Sequence, residues 1–243
     1  MLPIADQNIP GRGWAVVTLT LIALNVLVFV LLQLPNEAFT YGWAAVPREI
    51  TTGIDIVGRV PVGGGQSIVL EPGPDPIQLT LLSSMFMHGG WLHLLGNMLF
   101  LWIFGDNVEH TVGPIVFTIF YLGAGLVGSL AQIALEPNSI IPSLGASGAI
   151  AGVLAAYLVL YPSNRILVYA FFNAFWVPAV VVIGLWAVLQ FIGGFGQIAV
   201  TQQTGAQGGV AYMAHIGGFV AGLVFGFIAR AFIRPRAYTR WSS

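Results

Sequence analysis

The sequence predicts an all-α membrane protein, with six transmembrane helices and a long external loop between helices one and two. Of its 243 residues, 57% are hydrophobic and 7% are charged, and the mean hydropathy is +0.87. A soluble domain carries about 25% charged residues. Six apolar stretches have, or nearly have, the roughly 20 residues that a helix needs to cross the hydrocarbon core. Residues 35–78 form the one long connection and are rich in glycine and proline.

The six predicted helices cover residues 14–34, 79–104, 114–135, 144–161, 176–194 and 209–232. Residues 164–175 form a second, semi-polar connection. We predict a single membrane-embedded domain over 1–243, with a short polar segment at 1–13 and an arginine-rich tail at 233–243. We expect no removable signal peptide, because no short apolar segment with a cleavage site precedes the first helix.

The charged residues predict an orientation and exclude one class of partner. All eight cationic side chains are arginine, and such residues concentrate on the cytoplasmic side of a membrane. With both termini in the cytoplasm, six arginines lie inside and only Arg48 and Arg59 lie outside. The net charge of −1 provides no basic surface for nucleic acid. We therefore predict a protein embedded in a lipid bilayer, with both termini cytoplasmic.

Polar side chains near the starts of helices two, four and six are the candidate functional residues. They are His93 with Asn97, Ser147 in a Gly-Ala-Ser-Gly run, and His215. Polar groups at membrane depth are costly and usually functional. In the predicted orientation these helices start at the outer face, and the helical rise places the side chains within about 5–25 Å of that surface. Three helices therefore bring polar groups to one layer that outside water can reach.

Ser147 is a candidate nucleophile. A serine hydroxyl is a weak nucleophile unless a neighbouring base takes its proton. Gly145 and Gly148 permit a tight turn and a close approach, and free N–H groups at a helix start can bind an oxyanion. Taken alone, the motif is explained as well by close packing, since small residues three apart are common where membrane helices touch.

His215 is a candidate general base. Gly218 and Gly222 follow it at three and seven positions, on the same face of the helix, so another helix can pack closely there. If that helix is the fourth, the imidazole and the hydroxyl meet, and a neutral histidine suits proton abstraction. The alternative is a histidine that bonds a carbonyl in a helix interface.

His93 and Asn97 are four residues apart and therefore stack on one face of helix two. Two side-chain donors aimed at one point can stabilise an oxyanion, at about 2.7–4 kcal/mol per donor. The alternative is that they join helices through hydrogen bonds, which contribute about 0.6 kcal/mol on average. His88, five residues before His93, points elsewhere and is predicted to anchor the long loop.

A metal site is not predicted. Zinc needs three or four ligands, and no carboxylate lies in the layer of the two histidines and the asparagine. Glu109 is at the opposite end of helix two and is predicted to form a hydrogen-bonded helix end. We predict no other cofactor either.

Four motifs together resemble those of the rhomboid family of intramembrane serine proteases. Residues 88–97 resemble the family's H-x4-H-x3-N, 105–109 its G-x3-E, 145–148 its G-x-S-G, and 214–222 its A-H-x2-G-x3-G. Each motif is weak alone, but all four occur in the family's order on matching helices. The resemblance covers nearly the whole chain and implies a rhomboid-like bundle.

The resemblance implies roles for these residues. Ser147 is the nucleophile and His215 the general base, as a dyad without aspartate. The oxyanion hole consists of His93, Asn97 and the backbone N–H of Ser147. The supporting positions are His88, Gly145, Gly148, Gly218, Gly222 and Glu109.

The resemblance also implies a substrate and a location. The substrate is a transmembrane helix of another protein, cut near its outer end in a bacterial inner membrane. It enters past helices two and five, so Phe175 and Trp176 are candidate gate residues. Many relatives stack the catalytic histidine on an aromatic residue four positions after the serine. Here that position is Ala151, and Tyr212 or Tyr157 is the candidate replacement.

Two other functions compete with proteolysis. A pseudoprotease of the same fold binds transmembrane helices without cutting them, but it would be expected to lack Ser147 or His215, and both are present. A small-solute transporter would be expected to carry an internal repeat with paired broken helices, and the sequence shows none.

Overall fold

A computed structural model describes residues 2–7, 13–63, 66–204 and 210–233 of the chain. This part of the chain is mostly helical. Four helices in it are long and apolar enough to cross a membrane: Val16–Gln33, Pro114–Leu135, Ala179–Gly196 and Tyr212–Phe232. The predicted tail beyond Ile233, the start of the sixth predicted helix at residue 209, and residues 8–12 of the polar segment lie outside the described residues.

The helices follow one another in chain order as α1 (Val16–Leu27), α2 (Glu37–Trp43), α3 (Pro47–Thr52), α4 (Thr80–Ser83), α5 (Trp91–Val112), α6 (Pro114–Leu135), α7 (Ser147–Leu160), α8 (Ala179–Thr204) and α9 (Tyr212–Phe232). A π-helical segment at Val28–Gln33 extends α1, and short 3₁₀ turns at Ile77–Leu79 and Ser84–Phe86 flank α4. The strands are β1 (Leu2–Asp6), β2 (Gly58–Gly63), β3 (Gln66–Leu70), β4 (Arg165–Ala170) and β5 (Asn173–Pro178).

The start of the second predicted helix is wrong. We predicted residue 79, but α5 begins at Trp91, after α4 and two 3₁₀ turns. Gly90 has a φ of +152°, a conformation that interrupts a helix and that favours glycine. The apolar residues before it therefore continue the hydrophobic pattern without continuing the helix. As a result, His93 and Asn97 lie in the first two turns of α5.

The fold contains strands that the sequence did not predict. Residues 164–175, predicted to be a connection, include β4 and the start of β5, and β4 pairs with both β1 and β5 in an antiparallel sheet. The fifth helix begins at Ala179 rather than at residue 176. Ile166 and Val168 of β4 are completely buried. This run of apolar residues is too short to cross a membrane, and its β-branched side chains suit a sheet.

Helix α7 is the centre of the bundle. Twelve of its 14 residues are buried, and it packs against α5, α6 and α9. Its contact with α9 is made by backbone: a Cβ added to Gly218 would collide with the carbonyl of Gly148, and one added to Gly222 would collide with that of Gly152. These close contacts fix the position of α9 relative to the start of α7.

Glu109 of α5 caps the first turn of α1. Its two carboxylate oxygens accept hydrogen bonds from the backbone N–H groups of Val17 and Thr18, at 2.9 and 2.7 Å, and from the Thr18 hydroxyl at 2.8 Å. The first N–H groups of a helix have no partner within the helix. Glu109 thus joins α1 to α5 at a helix end, and the end that it caps belongs to α1.

The carboxyl group of Glu49 in α3 is expected to make the stability of the fold dependent on pH. The residue is 4% exposed, and its Oε1 accepts the Ile56 N–H at 3.1 Å. Burial raises the pKa of Glu49 from 4.5 to about 7; the bond from Ile56 opposes this rise and the charge of Asp55 adds to it. Between these values the folded protein binds more protons than the unfolded chain, so stability falls as pH rises through that window.

The substitution Glu49→Gln is therefore expected to reduce the fall in stability between pH 4.5 and pH 7 and to raise the thermal midpoint at pH 8. Thermal unfolding in detergent between pH 4 and pH 8 measures both effects. The matched control is Glu37→Gln, which changes a more exposed carboxylate in α2 and is expected to keep the wild-type slope. A wild-type slope in Glu49→Gln would contradict the assignment.

Candidate active site

One cavity brings the four predicted site residues together. It has a volume of about 680 Å³, and its lining includes His93, Asn97, Ser147 and His215. His93 and Asn97 lie in the first two turns of α5, Ser147 is the first residue of α7, and His215 is the fourth residue of α9. The three helices therefore direct their N-terminal ends at the same cavity, as expected from the sequence.

The hydroxyl of Ser147 and the ring of His215 are in hydrogen-bonding contact. The Oγ of Ser147 lies 2.7 Å from the Nε2 of His215. Ser147 is the first residue of α7, and Gly145 precedes it with a φ of +132°. A Cβ at Gly145 would lie 2.9 Å from the ring of His93, so both conformation and space require glycine there. The turn therefore presents the hydroxyl to the cavity and brings it close to His93.

His93 is oriented to donate a hydrogen bond into the cavity. The backbone N–H of Gly89 donates to its Nδ1 at 3.2 Å. A neutral imidazole has one donor and one acceptor nitrogen, so the proton of the ring lies on Nε2. Nε2 of His93 faces the turn at Gly145. A Cβ added to Gly145 would lie 3.1 Å from this Nε2 and 3.5 Å from the Oγ of Ser147. The Nε2–H of His93 thus points toward the surroundings of the hydroxyl.

Asn97 lies one turn further along the same face of α5. Its side chain is 8% exposed, and its Nδ2 donates to the carbonyl of His93 at 2.8 Å. An amide nitrogen carries two hydrogens, so this bond to the helix orients the side chain and leaves the second N–H for a ligand. The pair supplies two donors on the wall of the cavity.

His88 packs against the ring of His93, and its backbone is hydrogen-bonded to Gln33. Its backbone N–H donates to Oε1 of Gln33 at 2.8 Å, and its carbonyl accepts from Nε2 of Gln33 at 3.1 Å. The ring packs edge-on against the ring of His93, with centroids 5.1 Å apart. Within the described chain, neither of its ring nitrogens has a hydrogen-bond partner. The residue thereby ties the end of the π-helical segment to the start of α5.

Three residues with predicted roles lie away from the cavity. Phe175 and Trp176 belong to β5, which pairs with β4. Strand β4 follows the C-terminal end of α7. Ser147 begins α7, and the 14 residues of this helix span about 20 Å. The gate prediction is therefore wrong. Tyr157 is also remote, because its hydroxyl donates to Asp6 of β1 at 2.6 Å, so it does not contact His215.

The structure adds Gln190 and Trp186 of α8 to the site, and both line the cavity. The Oε1 of Gln190 lies 2.7 Å from Nδ1 of His215. The ring of Trp186 lies 6.0 Å from that imidazole, and the ring of Tyr212, one of the two predicted replacements, lies 6.5 Å away. The sequence does indicate Gln190, because it has the only amide or charged side chain in the predicted fifth helix.

Fold and site define a class: a helical integral membrane protein with a serine and a histidine in contact at a cavity. Residues 78–232 match the family model of the Rhomboid domain. This match covers more than half of the chain, so the chain belongs to the rhomboid family, as the sequence motifs predicted.

Named relatives are similar over parts of the chain. Rhomboid protein 1, mitochondrial, of Saccharomyces cerevisiae is 31% identical over 65% of this chain and 44% of its own length. Rhomboid protease GluP of Bacillus subtilis is 45% identical over 35% of this chain and 16% of its own length. RHOMBOID-like protein 2 of Arabidopsis thaliana is 35% identical over 64% of this chain and 43% of its own length. The chain thus spans less than half the length of each of these relatives.

Proposed function

We propose that this protein is an intramembrane serine endopeptidase that cleaves transmembrane helices of other membrane proteins. The observation that carries the proposal is the 2.7 Å contact between the Oγ of Ser147 and the Nε2 of His215. A serine next to a base is an activated nucleophile. Membership of the rhomboid family and a relative named as a protease support the same reaction class.

The site residues account for both halves of the reaction. His215 takes the Ser147 proton while the hydroxyl oxygen attacks the scissile carbonyl carbon. The oxyanion that forms accepts hydrogen bonds from the Nε2–H of His93, the Nδ2–H of Asn97 and the backbone N–H of Ser147. His215 then gives its proton to the leaving amine, which departs and leaves an acyl-enzyme. A water molecule, deprotonated by the same ring, hydrolyses that ester and restores the hydroxyl.

The proposed setting is a single membrane-embedded domain with six crossings. Helices α5 and α7 add two crossings to the four candidate spans, although α7 is short and α5 carries several polar groups. The arginine distribution supports cytoplasmic termini, which puts the cavity near the outer face of a bacterial inner membrane. Water for the second step then enters from outside.

The proposed substrates are helices that unwind easily near the cut. A helix engages its backbone carbonyls in internal hydrogen bonds, so a scissile bond is accessible only after local unwinding. Glycine and proline lower the cost of unwinding, because they are the least favourable residues in a helix interior. We therefore expect faster cleavage of a reporter helix with a Gly-Gly pair near its outer end than of one with Leu-Leu.

Reconstitution in liposomes with such a reporter helix tests the proposed activity. Wild-type protein is expected to release two fragments, and over the same incubation time Ser147→Ala is expected to release no detectable product while still binding the helix. Ser129→Ala is the matched control, because Ser129 lies in α6 and is not among the residues that line the cavity. Full activity in Ser147→Ala would refute the proposal, and binding without cleavage by the wild type would indicate a pseudoprotease.

A further inference from the structure

We propose that Gln190 of α8 is a positioning residue that selects the reactive tautomer of His215. This inference deepens the proposed function and rests on it, because His215 needs a free lone pair only if it acts as a base. A dyad of serine and histidine leaves the second ring nitrogen unassigned. Here that nitrogen, Nδ1, lies 2.7 Å from Oε1 of Gln190.

The geometry links the amide to the serine through the ring. A neutral imidazole has one N–H and one lone pair. When Oε1 of Gln190 accepts the Nδ1–H, the lone pair lies on Nε2, which is the nitrogen 2.7 Å from the Oγ of Ser147. That arrangement lets the hydroxyl donate its proton to the ring. The opposite tautomer places two lone pairs against each other at Gln190 and removes the acceptor that the hydroxyl needs.

The other described neighbours of the ring provide no hydrogen bond at Nδ1. Ala151, one helical turn after Ser147, has only a methyl side chain and therefore offers no acceptor. Trp186 and Tyr212 contact the ring at centroid distances of 6.0 and 6.5 Å. An indole N–H is a donor only, so Trp186 offers no acceptor to Nδ1. Among the described residues, Gln190 is the hydrogen-bond partner of Nδ1, and Ser147 is that of Nε2.

Gln190 also brings a third helix into the alignment of the base. Ser147 begins α7 and His215 belongs to α9, whereas Gln190 lies near the middle of α8. The contacts between α7 and α9 set the distance between ring and hydroxyl, but they leave the ring free to rotate about its side-chain bonds. A hydrogen bond from α8 to the far nitrogen fixes that rotation. The glycine contacts between α7 and α9 thus set the distance between His215 and Ser147, and the amide of Gln190 orients the imidazole ring.

Two substitutions at Gln190 separate its acceptor from its bulk. Gln190→Leu keeps a side chain of similar size without an acceptor, and Gln190→Glu keeps an acceptor that cannot donate. Tautomer selection by the carboxylate of a serine protease triad is worth about 10⁴ in kcat. A neutral amide provides a weaker interaction, so we expect Gln190→Leu to lower kcat by roughly 10- to 100-fold with little change in KM. Gln190→Glu is expected to retain most of the wild-type kcat.

The experiment measures reporter cleavage at several substrate densities in liposomes, together with the rate at which a fluorophosphonate labels Ser147. Leu189→Ala is the control, because Leu189 is adjacent on α8 and is 54% exposed; it is expected to keep the wild-type rates. Thermal midpoints in detergent identify a variant that fails to fold. Equal kcat and labelling rates in Gln190→Leu and the wild type would overturn the inference.

Two further outcomes also contradict it. Equal losses in Gln190→Leu and Gln190→Glu would mean that the amide acts as a donor or only as bulk. An increase in KM without a change in kcat would mean that Gln190 contacts substrate rather than the base. The proposed protease function fails separately, since that failure appears as cleavage that persists in Ser147→Ala.

Discussion

The variants Ser147→Ala, His215→Ala and their double mutant are expected to lower kcat by the same factor, roughly 10⁵- to 10⁶-fold, as residues that act as a unit do in a well-studied serine protease. The hydroxyl is an effective nucleophile only with the base, and the base has no role without the hydroxyl. The 2.7 Å contact between Oγ and Nε2 is the basis for this expectation. Product formation from a reporter helix over long incubations measures the residual rate.

A matched histidine variant controls for loss of structure. His110→Ala removes a ring whose two nitrogens lie 2.8 Å from the carbonyl oxygen of Asp106 in α5 and 2.9 Å from that of Gly13, which precedes α1. That ring does not line the cavity with Ser147, so cleavage is expected to continue. Multiplicative losses from Ser147→Ala and His215→Ala would show that the two residues act independently, and the proposed mechanism would then be wrong.

Gly222→Ala is expected to lower both stability and activity. The added Cβ would collide with the carbonyl of Gly152, and a backbone atom cannot move aside without shifting α7 or α9. Overpacking of this kind costs about 1–3 kcal/mol. The same shift separates Ser147 from His215, so the cleavage rate should fall even at temperatures where the variant is folded. Thermal unfolding in detergent and reporter cleavage measure the two effects.

Gly123→Ala is the matched control for this glycine. A Cβ at Gly123 of α6 meets no atom within 4 Å. Where the native backbone accepts alanine without strain, the exchange stabilises a protein by about 0.4–1 kcal/mol. We therefore expect an unchanged or higher thermal midpoint and normal cleavage. A similar result for Gly222→Ala would show that the contact between α7 and α9 tolerates a methyl group.

The sequence predicts which residues meet at the candidate site better than it predicts the helix boundaries. His93, Ser147 and His215 are polar residues in apolar surroundings, where they are costly, and each is close to the start of its helix. These residues therefore indicate the same layer before any coordinates are known. Gln190 is likewise a polar residue in an apolar segment, but its partner His215 lies 25 positions away along the chain. Only the packing of α8 against α9 reveals that contact.

The missed elements depend on contacts that composition does not encode. Residues 79–86 are mostly apolar, so they extend the hydrophobic pattern of α5 toward the long loop, whereas the extended backbone at Met87 and the positive φ of Gly90 separate them from that helix. Strand β4 is short, and its pairing with β1 joins Val168 to Pro3 far away along the chain. The family match, in contrast, follows from four local motifs, and these are readable without any tertiary contact.

In the proposed reaction, the enclosure of α7 determines which partner has to move. A helix with neighbours on nearly every side cannot carry its first residue outward without opening the centre of the molecule. The nucleophile is therefore stationary, and the bond to be cut has to travel to it. Discrimination between membrane proteins then depends on how long each candidate stretch of chain remains uncoiled beside the cavity. Selectivity of the proposed protease would then be kinetic, so that a rarely unwinding helix would escape cleavage even when its residues fit the site.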